Sequence, residues 1–166
     1  MRKSNKRIAT TAVVAALYAA LTLALGFMSY GQIQFRLAEV MILLPFISKE
    51  YILGLTLGCF LANVIGPYGV PDIIFGTLAT FISAYMVYLT SKLMPGKKLS
   101  LIIASIWPTI VNALVIGFML NKFFGVPLIL GVLQVGFGQF VVITILGVPL
   151  FNIFTKKYGN MLKNAF

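Results

Sequence analysis

Residues 37 to 65 read LAEVMILLPFISKEYILGLTLGCFLANVI. The run holds apolar sequence for more than one passage through a bilayer, yet Ser48, Lys49 and Glu50 divide it into Leu37 to Ile47 and Tyr51 to Ile65. Each piece is shorter than the about 20 residues of a standard transmembrane helix. Hydropathy alone therefore leaves two helices, one long helix or a re-entrant hairpin open. On either side lie four unambiguous apolar runs, Ile8 to Met28, Ile73 to Leu89, Leu99 to Leu120 and Leu128 to Phe154.

The basic residues arbitrate, because Lys and Arg near the ends of spans collect on the cytoplasmic side. With two crossings between Leu37 and Ile65 there are six in all, and the inner side receives Arg2, Lys3, Lys6, Arg7, Lys49, Lys92, Lys97, Lys98, Lys156, Lys157 and Lys163. Only Arg36 and Lys122 are left outside. A single crossing or a re-entrant loop would put Lys92, Lys97 and Lys98 outside while the N-terminal four stay inside. The expected fold is thus an all-α integral membrane protein of six transmembrane helices with both termini cytoplasmic. Residues 1 to 166 form one membrane domain with spans near 8–28, 37–47, 51–65, 73–89, 99–120 and 128–154, with no soluble extension or linker expected. The first run has a basic front like that of a signal peptide, but its length and the lack of a convincing cleavage site mark it as a retained span.

Composition agrees. Of 166 residues, 60% are hydrophobic and 10% charged, against roughly a quarter charged in soluble domains, and the mean hydropathy is +1.02. So few charges cannot cover a water-soluble surface. The net charge of +10 lies in short clusters flanking apolar runs, which argues for a membrane flank and against nucleic acid. There is no histidine, and Cys59 is the one cysteine, which removes imidazole-dependent triads, thiolate metal sites and any intrachain disulfide. Gly96-Lys97-Lys98 lacks the rest of a phosphate-binding loop. Three acids, Glu39, Glu50 and Asp72, cannot build a dinuclear metal site alongside anything else. An enzyme, a metal and a resident cofactor are not expected, and tandem repeats of a transporter core are not visible.

Small residues recur at a spacing of four: Ala12, Ala16, Ala20 and Ala24, with Ala15 and Ala19 beside them, and Gly54, Gly58 and Ala62. Such stripes let helices approach closely where lipid supplies no hydrophobic drive. Packing inside the bundle is the plainer account of the glycine stripe, while the alanine stripe suits internal packing or docking to a second membrane protein.

Ionisable groups beside a span are functional candidates by default, given their cost in hydrocarbon. Arg36 and Glu39 stand three apart at the start of the second span, and Asp72 just before the fourth. The plainer accounts are an Arg36–Glu39 pair that neutralises itself and Asp72 as a helix N-cap after Pro71. Gln34, Asn63, Asn112, Gln134 and Gln139 add neutral polar groups, Trp107 sits beside Pro108, and the outer loops carry Tyr30, Gln32 and Tyr68. Hydrogen bonding between helices is the plainer reading of Asn63, Asn112 and Gln134. A convergence of carboxylates, amides and aromatics on an outward cavity suits a small, flat, hydrogen-bonding solute.

The run Gly31-Gln32-Ile33-Gln34-Phe35-Arg36-Leu37-Ala38-Glu39, followed by Leu43-Leu44-Pro45, resembles the first-loop signature of the queuosine-precursor S components of energy-coupling-factor (ECF) transporters. Gly58 to Asn63, Pro67-Tyr68-Gly69 and Asp72 to Thr80 are similar to that family as well, with Ala38 standing where a small polar residue is expected. The resemblance implies a bacterial plasma-membrane protein that captures queuine or an aminomethyl deazaguanine from outside. It implies docking through Ala12, Ala16 and Ala20 on a transmembrane coupling subunit carrying two ABC ATPases, and a toppling of the whole component that presents the solute inward. A deazaguanine edge offers an N–H and an amine that one carboxylate can accept together. Glu39 is the first candidate for that role and Asp72 for the cationic substituent, with the two interchangeable. Gln34, Arg36, Asn63, Asn112, Gln134 and Gln139 complete the polar set, and Tyr30, Tyr68 or Trp107 supplies stacking. The competing readings are an S component for another vitamin-like heterocycle, an autonomous proton-coupled transporter using Glu39 and Asp72, and a structural subunit without a ligand.

Overall fold

A computed structural model describes residues 3–31, 33–97 and 99–166, with the side chains of Lys3 and Ser4 outside the description. Arg2, Gln32 and Lys98 lie outside the described residues. Helices make up the described chain, and four are long and apolar enough to cross a membrane: α1 (Lys3–Ala24), α4 (Gly69–Leu93), α5 (Ser100–Phe124) and a 36-residue rod from Leu128 to Lys163. Two shorter apolar helices, Leu37–Phe46 and α3 (Tyr51–Ile65), occupy the divided stretch, meeting at the turn around Ser48 to Glu50. A single turn, α2 (Gly26–Ser29), follows α1.

The ends of these elements differ from the hydropathy boundaries. The fourth helix begins at Gly69 rather than Ile73, since Pro71 falls in the first turn, where a missing N–H removes no intrahelical bond. The last helix continues past Phe154 to Lys163 as an amphipathic tail, beyond the point where Lys156 and Lys157 end the apolar window.

Leu37–Phe46 is wound as a 3₁₀ helix. At about 2.0 Å per residue its ten residues reach about 20 Å, where an α-helix would reach about 15 Å. This tighter winding lets a short run extend deep into the bundle. Residues three apart eclipse in a 3₁₀ helix, and Arg36, Glu39, Ile42 and Pro45 are all buried in one such row. Opposite lies the middle of the long rod. Between α6 (Leu128–Gln139) and α7 (Val148–Lys163), Phe140–Gly147 is a π-helix. Ile42 and Leu43 of the 3₁₀ helix share a core with Val142 and Ile143 of the π segment. A Cβ at Gly147 would lie 3.1 Å from the Val142 carbonyl and in van der Waals contact with Leu43 and Val40. Ser105 of α5 bonds Thr144 at 3.1 Å from the other side.

The glycine stripe packs internally. A methyl group at Gly58 would lie 2.7 Å from Tyr18 Cβ and 2.8 Å from the Ala15 carbonyl, and one at Gly54 3.0 Å from Val14. The alanines of α1 split by face: Ala15 and Ala19 are buried toward α3, whereas Ala12, Ala16, Ala20 and Ala24 are exposed. The two ends of the chain meet. Lys6 Nζ donates to the Asn164 carbonyl, Thr10 donates to Ala165 O at 2.7 Å, and Tyr51 donates to Leu162 O at 2.8 Å. Both therefore lie on one side of the bundle.

Candidate functional site

The site grows from the loop that enters the 3₁₀ helix. Gln34 is buried with φ 53, the left-handed region that a non-glycine residue occupies at a cost. The loop lies against α6 where Gly138 offers no side chain; a Cβ there would strike the Ile33 carbonyl and sit 3.2 Å from that of Gln34. Gln34 O then accepts the Arg36 N–H at 2.9 Å, which aims the Arg36 side chain into the bundle.

There the guanidinium meets two helices at once. Arg36 Nη2 donates to Asp72 Oδ2 at 2.8 Å and Nη1 to Asn63 Oδ1 at 3.1 Å. Asn63 Nδ2 donates to the Asp72 carbonyl at 2.9 Å, closing a ring across α3 and α4. Arg36, Asn63 and Asp72 are 5%, 0% and 1% exposed, so the ion pair is out of reach of water. Gly76 makes room for it: a Cβ there would lie 2.5 Å from Asn63 Nδ2 and 2.7 Å from Asp72 Oδ1. Two tyrosines cover this group. The Tyr30 ring lies 5.2 Å from Arg36 Cζ and its hydroxyl donates to Ala62 O at 2.8 Å, while Tyr68 donates to Tyr30 O at 3.0 Å. Burial raises the Tyr30 phenol above its ordinary range against the pull of Arg36, so it serves as a neutral donor.

Two of the simpler sequence readings are replaced. Arg36 pairs with Asp72 rather than with Glu39, and Asp72 lies in the first turn of α4 rather than at its N-cap position, which Tyr68 holds. Glu39, 1% exposed, turns instead to α1 and accepts a hydrogen bond from Tyr18 at Oε1. Tyr18 escaped the sequence reading because it sits in an alanine-rich span with no polar neighbour of note. The available signal was that a buried tyrosine hydroxyl requires a partner and that Tyr18 lies off the alanine stripe.

The candidates thus divide. Gln34, Arg36, Asn63, Tyr68 and Asp72 come together with Tyr30 at one end of the bundle, and Glu39 lies one 3₁₀ turn deeper. Asn112 donates to Pro108 O of its own helix at 3.0 Å, so it does not bridge helices. Gln139 is buried at the head of the π segment. Gln134 and Tyr68 line a separate groove of about 260 Å³ with Leu120, Phe124 and Leu130. Trp107 is half-buried and stands 17 residues from Phe124, the end of α5 near the cluster, or roughly 25 Å along the helix. The structure does not bring it to the others. Four atoms in the set are buried without a hydrogen-bond partner: Arg36 Nε, Glu39 Oε2, Asp72 Oδ1 and Gln139 Oε1. Buried polar groups are rarely left so, and the arrangement can offer three acceptors and a donor to a small solute. Near the other end of the bundle, Ala12 borders a mostly apolar groove of about 750 Å³ with Ile8, Leu53, Leu57 and Phe81.

Comparison with known proteins follows the same direction. The chain is 42% identical over 85 residues to a protein of Lactococcus lactis subsp. cremoris (strain MG1363) named queuosine precursor transporter QueT. That alignment covers 49% of this chain and 50% of the relative, so the chain spans about half the length of the curated relative it matches. No solved structure matches. The match to the QueT transporter family runs over residues 8–156, and the chain belongs to that family.

Proposed function

We propose that the protein is the substrate-binding S component of an ECF-type importer in a bacterial plasma membrane. It captures a queuosine precursor, queuine or an aminomethyl deazaguanine, from outside and delivers it through a coupling subunit driven by two ABC ATPases. The observation that carries this reading is the buried set of Arg36, Glu39, Asn63, Asp72 and Gln139 with its partnerless atoms, in a family of transporters.

Six crossings with cytoplasmic termini are supported by the contact between the start of α1 and the end of α7, which requires an even number of passages, and by the clustering of Lys and Arg on that side. The polar cluster then faces outward, where the solute arrives. Gln34, Arg36, Glu39, Asn63, Tyr68, Asp72, Asn112, Gln134 and Gln139 form or border the binding region, and Trp107 keeps at most a remote part in it. Ala12, Ala16 and Ala20, exposed on α1, supply a smooth face for the coupling subunit.

The buried Glu39–Tyr18 contact is also what a self-sufficient proton-coupled transporter would use. Proteoliposomes separate the two. With this chain alone under a pH gradient, the S-component reading expects no accumulation of labelled aminomethyl deazaguanine, and with the coupling subunit and ATPases it expects ATP-dependent uptake. Accumulation by the chain alone would overturn it.

A further inference from the structure

Three lysines near the end of α7 have no acid to answer them. The chain's acids are Glu39, Glu50 and Asp72. Asp72 pairs with Arg36 at 2.8 Å, Glu50 pairs with Arg7 at 3.3 Å, and Glu39 is buried against Tyr18. Among the described residues, Lys156, Lys157 and Lys163 are therefore exposed cations without an ion pair.

The three share one groove. They line a hollow of about 490 Å³ together with Ile47, Gly159 and Met161. Gly159 keeps it open: a Cβ there would meet nothing within 4 Å, so no close packing calls for a glycine that weakens the helix relative to alanine. Lys156, Asn160 and Lys163 recur at the spacing of one helix face, which sets the Asn160 amide between two ammonium groups.

The same turns also carry apolar surface. Ile153, Lys157 and Met161 follow at intervals of four, and Ile153 and Met161 are 63% and 64% exposed. The rod that bears them is 36 residues long, about 54 Å at 1.5 Å per residue, against a hydrocarbon core of about 30 Å. Its last turns thus pass into the headgroup layer, where lysines beside exposed apolar residues mark an interfacial helix. A ligand that satisfies both surfaces joins a negative charge to hydrocarbon.

We propose that this groove binds an anionic phospholipid, with the phosphate held by Lys156, Lys157, Lys163 and the Asn160 amide and the acyl chains laid along Ile153 and Met161. Basic pockets at the cytoplasmic side of helix bundles recognise headgroups in this way. The larger groove beside Ala12 is different, because its Arg7 is already engaged by Glu50. The lipid site lies at the opposite end of the bundle from the polar cluster, and it stands whether or not that cluster binds a solute.

The test follows the melting temperature of the purified full chain in neutral detergent as dioleoyl phosphatidylglycerol, dioleoyl phosphatidylcholine or inorganic phosphate is added. Phosphatidylglycerol should raise it by roughly 5 °C or more at saturation, and the other two should not. The triple variant Lys156→Gln, Lys157→Gln, Lys163→Gln should lose the shift, whereas Lys92→Gln with Lys97→Gln, which removes two exposed lysines outside the groove, should keep it. Gly159→Leu fills the groove without changing any charge and should also lose the shift. Equal shifts with both lipids, or a shift that survives both the triple variant and Gly159→Leu, would overturn the site. A matching shift with inorganic phosphate would assign the groove to a free anion and overturn the lipid. No lipid effect on the native chain, with the triple variant losing co-purification with a coupling subunit, would assign it to a protein partner instead. The comparison of the two lipids and phosphate on the native chain decides the ligand even where a variant fails to fold.

Discussion

Arg36 and Asp72, thirty-six residues apart in sequence, lie 2.8 Å apart in the interior of the bundle, with Asn63 completing the ring between them. The pair joins the loop that enters the 3₁₀ helix to the first turn of α4, and its charges cancel where water cannot reach. Removing one partner strands the other, which for a buried pair costs about 3–5 kcal/mol. Arg36→Met and Asp72→Asn should each lower stability on that scale, and the double variant should lose less than the sum of the two. Unfolding in detergent followed by circular dichroism measures all three; additive losses would show that the two side chains do not act together.

Helix α1 meets α3 where only glycine fits. Gly58→Ala places a methyl group 2.7 Å from Tyr18 Cβ and against the Ala15 carbonyl, an overpacking worth about 1–3 kcal/mol. Gly159→Ala, with nothing within 4 Å of the new carbon, should leave the melting temperature unchanged or slightly raised. Comparable losses at the two positions would contradict the described packing.

The two faces of α1 should separate by function. Ala16→Leu adds bulk to an exposed face, so solute binding should persist while co-purification with the coupling subunit falls. Ala15→Leu adds the same bulk at a buried position and should destabilise the chain itself. A loss of solute binding with Ala16→Leu in a folded sample would argue against an external docking face.

Cys59 is the single thiol, fully buried between Asn63 and Thr80. Maleimide should react with it slowly in the native protein and quickly after denaturation. A bound solute that stabilises the closed cluster should slow the reaction further. Rapid labelling of the native chain would mean that the cluster opens readily without solute.

Much of this arrangement was legible in the sequence because lipid imposes a length rule. Six apolar runs, including the divided pair around Lys49 and Glu50, correspond to the helices of the structure. The winding of those helices was not legible, since neither the 3₁₀ run of Leu37–Phe46 nor the π segment Phe140–Gly147 has a hydropathy period to betray it in so uniformly apolar a stretch. The candidate residues around the loop before Leu37 were recognisable as polar groups in the wrong solvent. Their partners were not: a spacing of three pointed Arg36 to Glu39, and tertiary contacts gave it Asp72 while Glu39 went to Tyr18. Local spacing proposes neighbours, and the packing of distant helices chooses among them.

The central claim is that this chain alone, without nucleotide or partner, binds a queuosine precursor through the buried polar set at its outer end. Calorimetric titration of the purified chain with queuine and 7-aminomethyl-7-deazaguanine, against guanine and riboflavin, tests it directly. The account predicts saturable binding of the two deazapurines, absent for both controls and weakened for the amine in Glu39→Gln. A folded sample that binds neither deazapurine, or binds all four alike, would contradict it.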